Sequence, residues 1–424
     1  MSTEFSQVPL SGLSIGTVLT APIYDSGPRR SKLLGEQIEI NEQFIKQLEA
    51  RGVYSVSVSK RDLAAMEAGQ PQGRLRKVSD HQYAASRLVT SRSRDIDDEI
   101  RCGEIRSSVE GSTDGPPIPA PSTRYDREAV TAEVARREQQ VVYMDGLFQS
   151  LVRDDPSSAD GLSDVCRSSI KAIVGDKDLF LALGLNPFSC DYPSRHSLHV
   201  CSVAIAIGVS LSLDDQSLID LGTGCLVHDV GMLKLDRQIY KAKRDLSRRE
   251  LIMLADHPVL TLDALACPGV SLSREARLVA YQIHERCDGS GYPRGTRADE
   301  IHQLSKIAAV ADAYVGLVSN RWHRSGLIPY FAIEKILKSI PQGLYDAKVV
   351  RALLNTISLF PIGSFIETND GRVGRVVRAT GGTYTKPVIE LWNNRHRQFE
   401  PDLVDLSKDS SIWVHRAVST PGYV

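Results

Sequence analysis

The middle of the chain places the strongest limit on the fold. Over residues 178–355, apolar residues recur at helical spacing and no convincing strand alternation occurs, so this stretch predicts an all-helical domain. Residues 7–60 combine strand-like runs with one helical segment, and the end of the chain alternates apolar and polar residues around Asp370-Gly371 and Gly381-Gly382. We therefore predict a mainly α protein with a small α+β N-terminal module and a small β-rich C-terminal segment.

The segments between these regions differ in composition. Residues 63–125 are rich in charges, Ser, Gly and Pro, so they cannot bury enough apolar surface to offset the entropy of ordering. They predict a largely disordered linker with room for one helical patch. The predicted boundaries are 1–62 for the α+β module, 63–125 for the linker, 126–176 for connecting helices, 177–358 for the helical domain and 359–424 for the β-rich segment. The connecting helices could pack on the helical domain or pair with a second subunit in a homodimer.

Charge, hydropathy and cysteine spacing exclude several classes of protein. A formal net charge of −1 over 424 residues does not favour bulk binding to nucleic acid or anionic membranes. No apolar run is long enough for a transmembrane helix, and the N-terminus lacks the pattern of a secretory signal. The 7 cysteines show no CxxC spacing, which favours reduced thiols over a zinc ribbon or disulfides. The expectation is a cytoplasmic protein whose partners include neither nucleic acid nor membrane.

The helical region contains side chains of the kind that bind Zn, Mn and Fe. They are His196, His228, Asp229, His257, His284 and Asp312. A single histidine is more often a surface or satisfied core residue than a ligand, so the prediction depends on the whole set. His228 and Asp229 are adjacent and point to different sides of a helix. They converge on one ion only if the helix end is distorted or the ion lies between them, and Gly231 permits such a break.

Several runs of sequence in this region resemble one known family. HDVGM, from His228, resembles the HDIGK signature of HD-superfamily phosphohydrolases, and HERCDGSGYPRG, from His284, resembles the second half of the HD-GYP signature, HHExxDGSGYP. RHSLHV, DHPVL and AVADAYVGLVSNRWHR resemble further elements, without insertions or deletions between them. Over residues 190–355 the chain therefore resembles the HD-GYP family. The resemblance implies an HD-type catalytic domain that hydrolyses phosphoesters with divalent metals.

The resemblance also implies a set of ligands. In that family the first metal would be held by His196, His228, Asp229 and Asp312. The second metal would share Asp229 and use His257 and His284, but a further family histidine is replaced here by Ile283. One or two ions of Fe, Mn or a similar metal are implied per domain. A third metal is not expected, because Tyr192 stands where some members have a glutamate.

The resemblance places basic residues against the substrate phosphates. Arg321 and Arg324 would be catalytic and substrate-binding residues, together with Asp229 as a catalytic carboxylate. Met232 replaces the lysine of HDIGK. Removal of one such donor lowers the rate about 10²–10³-fold in other enzymes, so phosphate binding is predicted to be weakened.

A loop of turn-forming residues follows His284 and includes Gly291, Tyr292 and Pro293. The resemblance implies that this GYP loop shapes the substrate pocket and offers a surface to diguanylate cyclase (GGDEF) domains. A plain structural connector is the alternative. Glu285 is predicted to orient a ligand histidine.

The function implied by the resemblance is a metal-dependent phosphodiesterase of bacterial second-messenger signalling. It would hydrolyse cyclic di-GMP to pGpG and GMP, with activity reduced by Ile283 and Met232. Two alternatives stay open. One is a catalytically inactive HD-GYP domain that acts as a cyclic di-GMP receptor or a protein-interaction module. The other is a mononuclear HD-type phosphohydrolase that acts on nucleotides.

Overall fold

The computed structural model of the protein divides into two compact units, residues 1–82 and 83–424. It describes residues 5–10, 13, 19–25, 32–34, 40, 45, 48, 53, 55–67, 85–102, 124–153, 155, 160–184, 192–267, 269–320, 326–380, 383–391 and 401–418.

The described residues of the first unit include an antiparallel sheet and helix α1. Its strands are β1 (Phe5–Pro9), β2 (Ile23–Asp25), β3 (Lys32–Leu34) and β4 (Ser55–Ser59), in the order β1-β4-β2-β3, and helix α1 spans Lys60–Glu67. Val8 of β1 lies opposite Val56 of β4, and both are buried in the core of the unit. The buried carboxylate of Asp62 accepts hydrogen bonds from the backbone and the hydroxyl of Thr20, which ties α1 to the residues before β2.

The second unit is mostly helical. Its helices are α2 (Ser91–Arg101), α3 (Arg127–Val152), α4 (Asp160–Gly184), α5 (Ser194–Ser210), α6 (Asp215–Val227), α7 (Arg237–Tyr240), α8 (Arg248–Ala255), α9 (His257–Ala264), α10 (Arg274–Gln282), α11 (Gln303–Val318), α12 (Pro329–Ser339) and α13 (Ala347–Ile357), with 3-10 turns at Val230–Lys234 and Ile340–Gln342. Helices α5, α6, α10 and α11 enclose the main apolar core. In the described part of the chain, no helix combines the length and apolar character that crossing a bilayer requires.

Capping residues begin the helices that carry the candidate ligands. Asp214 accepts a hydrogen bond from the backbone N–H of Ser217 at the start of α6, and Ser273 accepts one from Ala276 at the start of α10. Each bond satisfies a backbone donor that the helix itself leaves unpaired. Helices α6 and α10 pack very closely at Gly224, where an added Cβ would lie 2.5 Å from Cβ of Val279. The sequence thus fixes both the start and the spacing of these two helices.

A second antiparallel sheet ends the chain. Its strands are β5 (Phe365–Thr368), β6 (Val373–Arg378), β7 (Val388–Leu391), β8 (Asp402–Asp405) and β9 (Val414–Val418), in the order β8-β7-β6-β5-β9. The predicted turn at Asp370-Gly371 joins β5 to β6, and Gly371 adopts a φ of +82° there. The predicted turn at Gly381-Gly382 lies outside the described residues. The buried guanidinium of Arg378 pairs with Asp176 of α4, which holds the sheet against the helices.

The predicted fold class, a helical domain with small α+β and β-rich modules, is confirmed. The module boundaries drawn from the sequence stay predictions. Within the stretch predicted as linker, residues 91–101 form α2, which contacts α9.

Candidate metal centre

The predicted ligands come together at one buried place in the second unit. They are His196 near the start of α5, His228 and Asp229 at the end of α6, His257 as the first residue of α9, His284 after α10 and Asp312 in α11. None of these residues is more than 8% exposed. In two subsets, donor atoms of all three members lie within 4.8 Å of one another. These subsets are His196, His228 and Asp312, and His228, Asp229 and His284.

Helix α6 ends where the two adjacent ligands have to diverge. His228 is the C-cap of α6, and Asp229 precedes the 3-10 turn at Val230–Lys234, so the distortion predicted at this helix end is present. The role of Gly231 is close packing, because an added Cβ would lie 2.2 Å from the carbonyl oxygen of His257. Thr261 of α9 donates to the carbonyl of His228 at 2.8 Å and accepts from the N–H of Gly231 at 3.0 Å. The turn is therefore attached to the helix that begins with His257.

Asp229 lies at the centre of the group. Its Oδ1 is 3.2 Å from Nε2 of His257 and 3.7 Å from Nε2 of His284. Its Oδ2 is 3.4 Å from Nε2 of His228 and 3.8 Å from Nε2 of His196. The two oxygens of one carboxylate thus face different pairs of imidazoles, as a carboxylate shared by two ions would.

Asp312 contacts two of the same histidines. Its Oδ1 is 3.2 Å from Nε2 of His196, and its Oδ2 is 3.3 Å from Nδ1 of His284. The neighbouring imidazoles hold the pKa of both Asp312 and Asp229 well below the usual range, although burial alone would raise it. Both carboxylates are therefore anionic and ready to bind a cation.

Backbone carbonyls set the tautomers of two histidines. Nδ1 of His228 lies 2.7 Å from the carbonyl oxygen of Cys225, and Nδ1 of His257 lies 2.7 Å from that of Leu254. A carbonyl oxygen only accepts hydrogen bonds, so each Nδ1 carries a hydrogen, and in the neutral imidazole each Nε2 presents a lone pair to the centre. Burial lowers the pKa of His257, which favours the neutral, metal-binding form.

The donor set fits divalent metals. Within the described part of the chain, Nε2 of His228, His257 and His284 and Oδ1 of Asp229 are buried without a hydrogen-bond partner. Unsatisfied polar atoms of this kind each cost about 1–3 kcal/mol. Bound divalent cations would satisfy these atoms, and imidazole with carboxylate suits Zn, Fe or Mn.

The two replaced positions differ from the rest of the centre. Ile283 is fully buried and packs in the main apolar core, so its side chain supplies no donor. Met232 is 6% exposed and places an uncharged thioether at its position. Arg321 and Arg324 lie outside the described residues.

Tyr192 contributes a contact that the sequence analysis missed. Its hydroxyl donates to Oδ2 of Asp229 at 2.7 Å. From the sequence, this tyrosine served only to exclude a third metal. Tyr192 lies before the start of α5 at Ser194, so helical spacing gave no signal for its contact with Asp229.

The GYP loop packs against the ligands from one side. The ring of Tyr292 stacks on that of His284 at 4.9 Å between centroids, and it meets the ring of His257 edge-on at 5.8 Å. Gly291 allows a close approach, because an added Cβ would lie 2.4 Å from the backbone nitrogen of Arg286. Gly291, Tyr292 and Pro293 are all buried. The loop thus supports two ligand rings, and its contact with substrate stays a prediction.

Glu285 holds the loop instead of a histidine. Its carboxylate accepts backbone hydrogen bonds from Arg294 at 2.7 Å, Gly295 at 3.2 Å and Thr296 at 3.1 Å. Burial raises the pKa of Glu285 to about 7. The predicted contact with a ligand histidine is thus replaced by support of the loop that packs on the histidines.

These features define a helical HD-type domain with a candidate divalent-metal centre, and comparisons with known proteins agree. Residues 185–349 match the HD domain family model. The chain is 26% identical over 234 residues to cyclic di-GMP phosphodiesterase PA4108 of Pseudomonas aeruginosa, which covers 54% of this chain and 55% of that protein. It is 25% identical over 189 residues to cyclic di-GMP phosphodiesterase PdeB of Borreliella burgdorferi, covering 45% and 49%.

A third relative carries a different name. The chain is 29% identical over 175 residues to 3'3'-cGAMP-specific phosphodiesterase 3 of Vibrio cholerae, which covers 40% of this chain and 36% of that protein. The chain spans about half the length of the first two relatives. Residues 185–349 match the HD domain model, and the resemblance to HD-GYP domain proteins recognised in the sequence is confirmed.

Proposed function

We propose that the protein is a metal-dependent phosphodiesterase that hydrolyses cyclic di-GMP to pGpG and GMP in bacterial signalling. The observation that carries the proposal is the arrangement around Asp229, whose carboxylate faces four imidazoles, two of which also face the carboxylate of Asp312. The names of two relatives support cyclic di-GMP as the substrate.

Bound divalent ions would supply Lewis acidity and lower the pKa of a water molecule. The chain contributes the positions of the donors. Each oxygen of Asp229 faces two histidines, and the carboxylate of Asp312 faces His196 and His284, so these side chains would hold the ions. The hydroxyl of Tyr192 holds Oδ2 of Asp229, and the burial of the centre strengthens each electrostatic interaction.

Phosphate binding is the weaker part of the proposed site. Arg321 and Arg324 remain the proposed phosphate contacts, because a guanidinium binds phosphate with two parallel hydrogen bonds. Met232 cannot make a charged contact. We therefore expect a slow enzyme, because loss of one donor that contacts the reacting group lowers the rate about 10²–10³-fold in other enzymes.

A specific observation favours a second candidate function. Ile283 packs in the apolar core and Met232 is buried, so two positions that serve catalysis in the family here serve packing. Apolar packing at these two positions is what we expect of an inactive HD-GYP domain that acts as a cyclic di-GMP receptor or interaction module. Under either function, a GGDEF partner would meet the exposed end of the loop, including Arg297 and Asp299, because Gly291, Tyr292 and Pro293 are buried. Homodimer formation and a cytoplasmic location belong to the same proposal.

Turnover and binding measured on the same preparation test these functions. Cyclic di-GMP is supplied with Mn²⁺ or Fe²⁺, products are separated by chromatography, and 3'3'-cGAMP serves as a competing substrate. Formation of pGpG that is lost in Asp229→Ala supports the phosphodiesterase. Tight binding of cyclic di-GMP without products supports the receptor. Absence of binding, combined with hydrolysis of a mononucleotide, contradicts both and supports a mononuclear phosphohydrolase.

A further inference from the structure

A segment N-terminal to the HD domain packs on the elements that carry the metal centre. We call residues 85–102 the strap segment. It contains α2, whose first turn is closed by a capping box between Thr90 and Ser93. Ile96 and Ile100 of α2 are buried in a small apolar cluster of their own. The other buried members of that cluster are Val259 and Leu262 of α9 and Leu278 and Tyr281 of α10. The strap segment therefore rests on the helix that begins with His257 and on the helix that ends just before His284.

One arginine of the GYP loop is held by three groups of the strap segment. Nε of Arg294 is 2.9 Å from Oδ2 of Asp97, its Nη1 is 3.2 Å from the carbonyl oxygen of Ser86, and its Nη2 is 3.2 Å from the hydroxyl of Ser93. A guanidinium presents its donors in a rigid fork, so three acceptors around it fix its orientation as well as its position. Arg294 is two residues from Tyr292, which stacks on the ring of His284.

Further hydrogen bonds extend this attachment to both sides of the centre. The N–H of Ser86 donates to the carbonyl of Pro293 at 2.7 Å. The hydroxyl of Ser86 donates to Oδ1 of Asp256, the residue before His257, at 2.5 Å. Oδ1 of Asp97 accepts from the hydroxyl of Tyr281 in α10 at 2.8 Å. The GYP loop, α9 and α10 are thus linked through two residues of one segment.

We propose that the strap segment positions the metal centre. Asp97 and Ser86 hold Arg294 and Pro293, and these hold Tyr292 against the rings of two ligand histidines. A ligand or partner that alters the attachment of the strap segment would therefore change metal affinity. In the chain, the strap segment follows the first unit. The consequence for turnover rests on the proposed function, whereas the consequence for loop order and metal affinity does not. Asp97 and Ser86 are positioning residues, since they touch neither metal nor substrate.

Asp97→Asn and Glu99→Gln form a matched pair for the test. Both remove one negative charge from α2, but Glu99 pairs with Arg274 at 2.8 Å and not with the GYP loop. Amide hydrogen exchange of residues 284–297 and the affinity for Mn²⁺ are measured on the full chain. We expect Asp97→Asn to speed exchange about 10- to 100-fold, as loss of a charge-assisted hydrogen bond allows, and to weaken Mn²⁺ binding about 10-fold. Glu99→Gln leaves both unchanged.

Equal exchange and equal Mn²⁺ affinity in the two variants would overturn the proposal. Arg294→Lys provides a second variant if Asp97→Asn folds poorly, because it keeps the charge and loses the fork. It should loosen the same loop residues, while unchanged loop exchange in a folded Arg294→Lys protein also contradicts the proposal. Cyclic di-GMP turnover is measured separately. If the unsubstituted protein shows none, the proposed function fails, yet exchange and Mn²⁺ affinity still decide the role of the strap segment.

Discussion

Two halves of the metal centre are held in place by different parts of the fold. His196, His228 and Asp312 come from α5, α6 and α11, which pack against one another in the main core. His257 and His284 lie at the start of α9 and after α10, where they depend on contacts with the GYP loop. Asp229 is shared by both halves. The first half is built by the core and the second is supported by a loop.

This difference indicates which half of the candidate centre can vary independently of the core. Loss of a core-held ligand would disturb packed helices, whereas the loop-supported half can weaken while the core stays intact. Ile283 belongs to that second half by its place in the sequence, and its side chain contributes to the apolar core instead. We infer that the first half binds metal more tightly, and that the second half is where occupancy responds to the surroundings.

The largest effect is expected from removal of the shared carboxylate. Asp229→Ala deletes both oxygens that face the histidines, so bound metal should fall about 10-fold or more in both halves. Metal content after dialysis, measured by elemental analysis, checks this. Asp215→Ala is the control, because Asp215 is an exposed residue of the same helix. Unchanged metal content in Asp229→Ala would show that the ligand set is wrong.

A pair of histidine variants tests the comparison directly. His196→Ala should weaken binding at the tightest Mn²⁺ site about 100-fold. Loss of a residue that only supports a ligand already weakens metal binding by up to about 100-fold. His257→Ala should leave that site nearly intact and remove the weaker one. Titration with Mn²⁺ resolves the two classes of site, and His415→Ala, at an exposed position in β9, is the control. If both variants lose the same site to the same extent, the two halves are not distinct.

Adding back the missing donor should act on the second half alone. Ile283→His places an imidazole where the family has one, and we expect the weaker Mn²⁺ site to tighten about 10-fold. Ile283→Leu controls for the change of shape. A fall in thermal stability without tighter Mn²⁺ binding would mean that the position faces only the core. An imidazole buried there without a partner would cost about 1–3 kcal/mol.

The sequence predicted the candidate ligands that the structure brings together, but it did not predict the contacts that support them. Neighbouring pairs such as His228 and Asp229 carry their chemistry in a short local run, so spacing and resemblance were enough to assemble the set. The strap segment has few apolar residues, and its attachment runs from Asp97 to Arg294, which lies 197 positions further along the chain. Such contacts leave no local periodicity. The contacts of Glu285 could not be predicted for a similar reason. Its partners are backbone N–H groups, which are present at almost every residue and leave no mark in the sequence.

The smallest effect is expected where support is a single hydrogen bond. Tyr192→Phe removes only the hydroxyl that donates to Oδ2 of Asp229 at 2.7 Å, and leaves the ring in place. A hydrogen bond to a charged group contributes about 1.5–3 kcal/mol, but part of this loss is offset because His228 and His196 also face that oxygen. Mn²⁺ affinity should therefore fall less than 10-fold, near the lower limit for outer contacts.

Because Oδ2 faces the core-held histidines, the loss in Tyr192→Phe should appear in the tighter Mn²⁺ site. The weaker site, which uses Oδ1, should change little. Tyr240→Phe is the matched control, since that ring lies 6.3 Å from the ring of Tyr192. A change confined to the weaker site would reverse the assignment of the two carboxylate oxygens, and with it the division of the centre into a core-held and a loop-supported half.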